Sequence, residues 1–151
     1  MQSGCDIYLT LLLLLHTLEG IVFRLFIHKD AEADLDALWH DTPEAAARIA
    51  VLLEECEGNQ ALLDRLTQHD FGPRGTADIQ VSKWQEQWRK GNDLWRVKLW
   101  DLENRGLQYR IIYAFIPQKR HYHVLAVAPR SFNYDSAHPI TQRILRTYQE
   151  L

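Results

Sequence analysis

The spacing of apolar residues changes period once along the chain, and that change limits the possible folds more than any other feature. Between Asp30 and Gln68 the apolar positions recur three and four residues apart, the repeat of helices with one buried stripe. Between Leu94 and Ala128 they recur every second residue, the repeat of strands buried on one face. The chain therefore gathers its helices ahead of a run of strands rather than alternating the two. That order points to an α+β domain, with helices set against an antiparallel sheet, and away from a parallel doubly wound fold.

The first element, Ile21 to His28, is β-branched and aromatic enough for a strand. Asp30 then caps a helical stretch whose Leu35, Leu38 and Trp39 share a face. The segment DTPEAAARIAVLLEECEGN is the clearest helix: Thr42 suits the N-cap, Pro43 the first turn and Gly58 the stop, with Ala46, Ile49, Ala50 and Leu53 as the buried stripe. A shorter helix runs from Gln60 to Gln68. DFGPRGTAD reads as a loop, and Lys83 to Lys90 as a short helix carrying Trp84 and Trp88. Then come LWRVKLWDL, a turn at ENRG (103–106), LQYRIIYAF, a second turn at residues 117–120, and HYHVLAVA. Pro139 to Leu151 reads as a last helix with Ile140, Ile144, Leu145 and Tyr148 inward. The expected architecture is a small antiparallel sheet, one N-terminal strand plus a C-terminal three-strand meander, packed by N-terminal helices and a C-terminal helix. Helices cover one face of that sheet and leave the other open. The 151 residues, 46% of them apolar, suffice for one core, so residues 21–151 are read as a single domain.

Residues 1–20 stand apart. Ile7 to Leu15 is an apolar run containing five consecutive leucines, too short for a membrane span of roughly 20 residues. It also lacks the basic start and the small-residue cleavage site of a secretory signal. It is read either as an extra helix or as the product of a start set too early, the natural start then being Val22. Cys5 and Cys56 form no metal or disulfide pattern, which fits a cytoplasmic protein with Cys56 as a small buried hydrophobe.

The net charge of -3 conceals a division. Residues 1–71 hold 4 Lys and Arg against 13 Asp and Glu, whereas residues 72–151 hold 13 against 7. A polyanion would meet the second half. There the strands place Arg96 and Lys98 two apart, hence on one face, with Arg110 early in the next strand. Arg130 and Tyr134 follow the end of the third, in AVAPRSFNYD. Cations gathered in this way repel one another unless an anion lies between them, so the set is a candidate phosphate site.

The run LWRVKLWD…YRIIYAF…YHVLAVAPRSFNYD, followed by a short helix, resembles the RelE/ParE superfamily of bacterial toxins, which pair a helical hairpin with a small antiparallel sheet. The resemblance spans Val22 to Leu151 in element order, with motif content from Leu94 to Asp135; the Phe71 to Asp93 stretch looks like an insertion. It implies the toxin of a type II toxin–antitoxin pair, a metal-independent endoribonuclease that cleaves mRNA on the ribosome. In that role Arg130 would hold the scissile phosphate, and Tyr134 would act as general base or stack on a base. Arg110 and Lys98 would join them at the phosphate, with Arg96 binding RNA. It also implies a cognate antitoxin as partner, no cofactor, no metal and no membrane. The alternatives within the same superfamily are a ParE-like inhibitor of DNA gyrase that acts by binding, and an inactive antitoxin-binding module. Trp100 shares a face with Lys98 and is a candidate base-stacking residue; His123 is a candidate RNA contact. His121 and His123 share one strand face, and His138 lies in the loop beyond; strand parity alone leaves open which side the pair faces.

Overall fold

The computed structural model describes residues 22–151, so Cys5 and the two readings of residues 1–20 lie outside the described residues. The chain folds as α+β. Strand β1 (Arg24–Ile27) is followed by helices α1 (Lys29–Asp41), α2 (Pro43–Glu57) and α3 (Gln60–Arg65). Strand β2 (Ile79–Lys83), short helix α4 (Gln85–Arg89), strand β3 (Leu94–Leu99) and short helix α5 (Trp100–Asn104) come next. Strands β4 (Tyr109–Ile116) and β5 (His121–Pro129), a 3-10 turn at Arg130–Phe132 and helix α6 (Pro139–Gln149) complete the chain.

The five strands form one sheet in the order β1-β5-β4-β3-β2, antiparallel throughout except that β1 runs parallel to β5. The meander from β3 to β5 stands where the period of two places it. Besides the parallel pairing of β1, two parts of the sheet depart from expectation. Ile79–Lys83, between the expected loop and the expected helix, is an edge strand that takes Lys83 from that helix, with Ile79 and Val81 buried on one face. The outer rim of this strand is closed by the preceding loop: Asp70 N–H donates to Val81 O (2.9 Å) and Val81 N–H to Phe71 O (3.0 Å). Gly72 permits that approach, since its φ is +81° and an added Cβ would stand 1.9 Å from Ile79 O. The strand β3 ends at Leu99, and the chain returns to β4 through α5, so Trp100 belongs to a helix and not to the alternating strand.

The helices keep their expected places, with corrections at two residues. Thr42 precedes α2 with Pro43 in the first turn, and Gly58 ends it. The N-cap of α1 is His28 instead of Asp30: the imidazole Nδ1 accepts the Asp30 N–H at 3.1 Å. Trp39, expected inward, is exposed, while Leu38 is buried.

The sheet has two packed faces, not one. On the first, Ile79, Val81, Val97, Ile111, Tyr113, Tyr122 and Val124 meet Leu38 of α1, Ala46, Ile49 and Leu53 of α2, and Leu63 of α3. Each fully buried aliphatic side chain of this layer contributes about 1.5–3 kcal/mol. The phenols of Tyr113 and Tyr122 donate to the carbonyls of Leu66 (2.7 Å) and Leu63 (2.6 Å), which closes the carboxyl end of α3. On the second face, Leu94, Ile112, Ala114, Leu125, Ala126 and Ala128 meet Trp84, Phe132 and Ile144 of α6. The expected open face is thus half covered, because α6 crosses it. Asp34 of α1 ties that helix down, accepting two hydrogen bonds from the Arg143 guanidinium (2.9 and 2.6 Å) and one from Val127 N–H (3.0 Å).

Candidate functional site

Strand parity aims the basic side chains. Leu94, Arg96 and Lys98 alternate along β3, and Leu94 belongs to the second face, so Arg96 and Lys98 share it. Across the ladder their partners on β2 are Ser82 and Gln80. Arg110, the second residue of β4, lies opposite Ala128 of β5, in phase with Ile112 and Ala114 of the same face. The α6 helix covers the apolar middle of this face and leaves its charged end free. There Gln80, Ser82, Arg96, Lys98 and Arg110 meet Arg130, Asn133 and Tyr134 around a cleft of about 280 Å³. The four cations and the phenol singled out from sequence are therefore brought into one hollow.

The loop that completes the cleft is held in an uncommon shape. After the 3-10 turn, Asn133 (φ 53°) and Tyr134 (φ 56°) both lie in the left-handed region. Asn tolerates it; a tyrosine there costs about 1–3 kcal/mol. The strain directs the Tyr134 ring onto Phe132 (centroids 4.6 Å apart) and Trp84 (5.3 Å), with the Arg96 guanidinium 4.6 Å above it. Its hydroxyl is buried and has no hydrogen-bond partner among the described residues. A buried polar atom left unpaired costs about 1–3 kcal/mol, so this position favours a ligand or water that supplies the missing bond.

The cations differ in freedom. Arg130 is exposed, and among the described residues its guanidinium makes no hydrogen bond or ion pair. The Lys98 ammonium rests over the Trp100 ring at 4.5 Å. Partial burial lowers the Lys98 pKa below the usual lysine value; Arg110, Arg96 and Arg130 push it further down, and Glu103 opposes them. Arg110, expected as a free cation, is corrected. It is buried and paired with the equally buried Glu103 carboxylate, and the same Nη1 donates to Tyr109 O at 2.9 Å. It forms the floor of the cleft, its charge already half answered.

The remaining candidates stand outside. Trp100 does not line the cleft; its ring is engaged by Lys98 and by Arg74 (4.5 Å each), and its indole N–H donates to Gly72 O at 2.8 Å. It holds cations in place rather than offering a free stacking surface. His123 shares the face but lies five residues back along β5 from Ala128, roughly 15 Å at the strand rise. There it stacks on Phe26 of β1 (5.2 Å, 19°). Burial and the nearby His121, Lys119 and His28 lower its pKa; burial, Lys119 and Arg24 lower that of His121. His138 caps α6, its Nδ1 accepting the Ile140 N–H at 3.1 Å. Gln80, Ser82 and Asn133 are cleft residues that the sequence reasoning passed over. The alternation of IQVSK was the available signal for the first two.

No protein-family model matches the chain, and neither does any curated protein or solved structure. Among the described residues, no helix is long and apolar enough to cross a membrane.

Proposed function

We propose that the protein is a RelE-like endoribonuclease, the toxin of a toxin–antitoxin pair, and that the cleft holds the phosphodiester it cuts. One observation carries this reading: Arg96, Lys98 and the unpaired Arg130 converge with Tyr134 on a single hollow floored by Arg110. A planar guanidinium such as Arg130 can hold two phosphate oxygens at once and stabilise the charge that grows on them as phosphorus becomes pentacoordinate. The reaction needs two proton movements. The 2′-oxygen bonds to phosphorus as its proton leaves, and the phosphorus–5′-oxygen bond breaks as that oxygen gains one. The products are a 2′,3′-cyclic phosphate and a 5′-hydroxyl.

Lys98 is the better proton acceptor of the two expected participants, because its surroundings already disfavour the ammonium form. Tyr134, whose hydroxyl lacks a partner, then gives its proton to the leaving oxygen. Solvent returns both groups to their starting forms. In this scheme the charge is carried by side-chain cations and no metal ion is required. The cognate antitoxin is a segment whose acidic or apolar side chains cover the cationic end of the face, and the ribosome is the setting in which mRNA reaches it.

Incubation with single-stranded RNA in excess chelator, and separately with translating ribosomes in magnesium buffer, tests the proposal. It expects cleavage with 2′,3′-cyclic phosphate ends, lost in Arg130→Ala. Intact RNA in both settings sinks the nuclease. A second reading, binding without cleavage as in a gyrase inhibitor or an inactive module, draws on the Arg110–Glu103 pair, which leaves one cation fewer for catalysis. Inhibited supercoiling by gyrase without RNA scission would support it.

A further inference from the structure

Arg130 lines two hollows. One is the cationic cleft; the other, about 220 Å³, lies between the start of β4 and the end of β5. Leu107, Gln108, Tyr109, Pro129 and Ser131 wall it, and among the described residues no charged side chain but Arg130 lines it. Gln108 and Ser131 are exposed, and among the described residues their side chains make no hydrogen bond. The Gln108 carbonyl accepts the Arg130 N–H at 3.0 Å, which ties the backbone of the hollow's wall to that of the arginine.

From this arrangement we infer that the second hollow is a nucleoside subsite, and that the ligand is a dinucleoside unit whose bridging phosphate sits at Arg130. The inference rests on reading the cleft as a phosphodiester site. The chemistry on the two sides divides as such a ligand does. The phosphate, one charge shared by two nucleosides, meets the one unpaired guanidinium common to both hollows. An uncharged hollow with an amide, a hydroxyl and apolar walls suits a neutral base and sugar and offers nothing to a second phosphate. The cleft takes the other nucleoside, where Gln80, Ser82 and Asn133 present neutral polar groups beside the cations.

Two probes of equal charge separate the parts: the 2′-O-methyl dinucleotide ApA, which cannot be cleaved, and 2′-O-methyladenosine 3′-(methyl phosphate), which lacks the second nucleoside. Titration calorimetry on the full chain should show ApA bound roughly tenfold more tightly than the methyl diester. Filling the hollow by Gln108→Trp, or independently by Ser131→Trp, should erase that advantage and leave the methyl diester affinity within about twofold of the parent. Thermal unfolding identifies a variant that has lost its fold, and the other then decides. Equal binding of the two probes by the parent, or an advantage that survives in a folded variant, overturns the second subsite while the cleft reading stands. Failure of the parent to bind either probe removes both.

Discussion

The two faces of the sheet are made by the same five strands and do opposite work. The face under α1, α2 and α3 is packed with apolar side chains from all five strands, and its buried hydroxyls, Tyr113 and Tyr122, are both spent on helix carbonyls. The face under α6 is apolar only in the middle. At its end it carries Arg96, Lys98 and Arg110, a strained loop at Asn133 and Tyr134, and a buried phenol with no partner among the described residues. Satisfied polar groups and close packing mark a surface shaped for stability. Unsatisfied polar groups, clustered like charge and backbone strain mark a surface whose free energy is completed by something outside the chain.

Substitutions on the two faces should therefore separate stability from function. Ile49→Ala on the first face should lower unfolding stability by about 2–5 kcal/mol, because a fully buried side chain leaves a cavity. Arg130→Ala should leave the melting temperature unchanged and reduce RNA cleavage by about 10²–10³-fold. Equal effects of the two changes on melting would break the contrast. The two tyrosines sharpen it. Tyr122→Phe should cost about 0.5–1.5 kcal/mol, since the Leu63 carbonyl loses one of its two donors and keeps the Leu66 N–H. Tyr134→Phe should be neutral or stabilising in urea unfolding while cleavage falls, because among the described residues its hydroxyl has no hydrogen-bond partner to lose.

A smaller effect is expected in the pH profile. If the neutral form of Lys98 accepts the proton, cleavage rises with pH as the ammonium deprotonates, and the rise comes below the usual lysine range because the pKa is lowered. Removing a neighbouring cation raises that pKa, so Arg110→Gln should move the rising limb to higher pH. Glu103→Gln removes the opposing carboxylate and should move it lower. Limbs that stay in place remove Lys98 from proton transfer. The smallest signal belongs to the first face. Burial, with Glu55 and Glu57 nearby, pushes the Cys56 thiol up to about 12, so iodoacetamide at neutral pH should label it only after unfolding.

The α+β order and the cleft's main residues were legible for a simple reason. A strand repeats every two residues, so Arg96 and Lys98 must share a side, and the short links between β3, β4 and β5 make the three strands neighbours. What stayed hidden depends on contacts between segments distant in sequence. The strand β2 follows a loop rich in glycine and proline, and only pairing with β3 shows its alternation to be a strand. In β4–β5 the register shifts between Ile112, opposite Ala126, and Tyr113, opposite Val124, leaving Leu125 over. That bulge puts both Leu125 and Ala126 on the second face and brings Ala128, at the start of the Arg130 turn, into phase with Arg110. Simple alternation would have set Ala128 with Tyr122 and Val124 on the first face. Equally, nothing in ENRG announces that Glu103 turns inward to pair with Arg110, a contact seven residues apart closed by the α5 helix.

The central claim is that the free end of the second face binds the phosphate backbone, and the salt dependence of binding tests it most directly. A fluorescent 2′-O-methyl oligonucleotide, uncleavable, is titrated with the protein across a range of salt concentration. Each phosphate neutralised on a single strand contributes a slope of about 0.7 in the logarithm of affinity against the logarithm of salt. The account predicts a slope that shrinks by about that amount in Arg130→Ala and in Arg96→Ala, with Arg48→Ala on the helical side unchanged. Slopes identical in all three variants and the parent, or no binding at low salt, would contradict it.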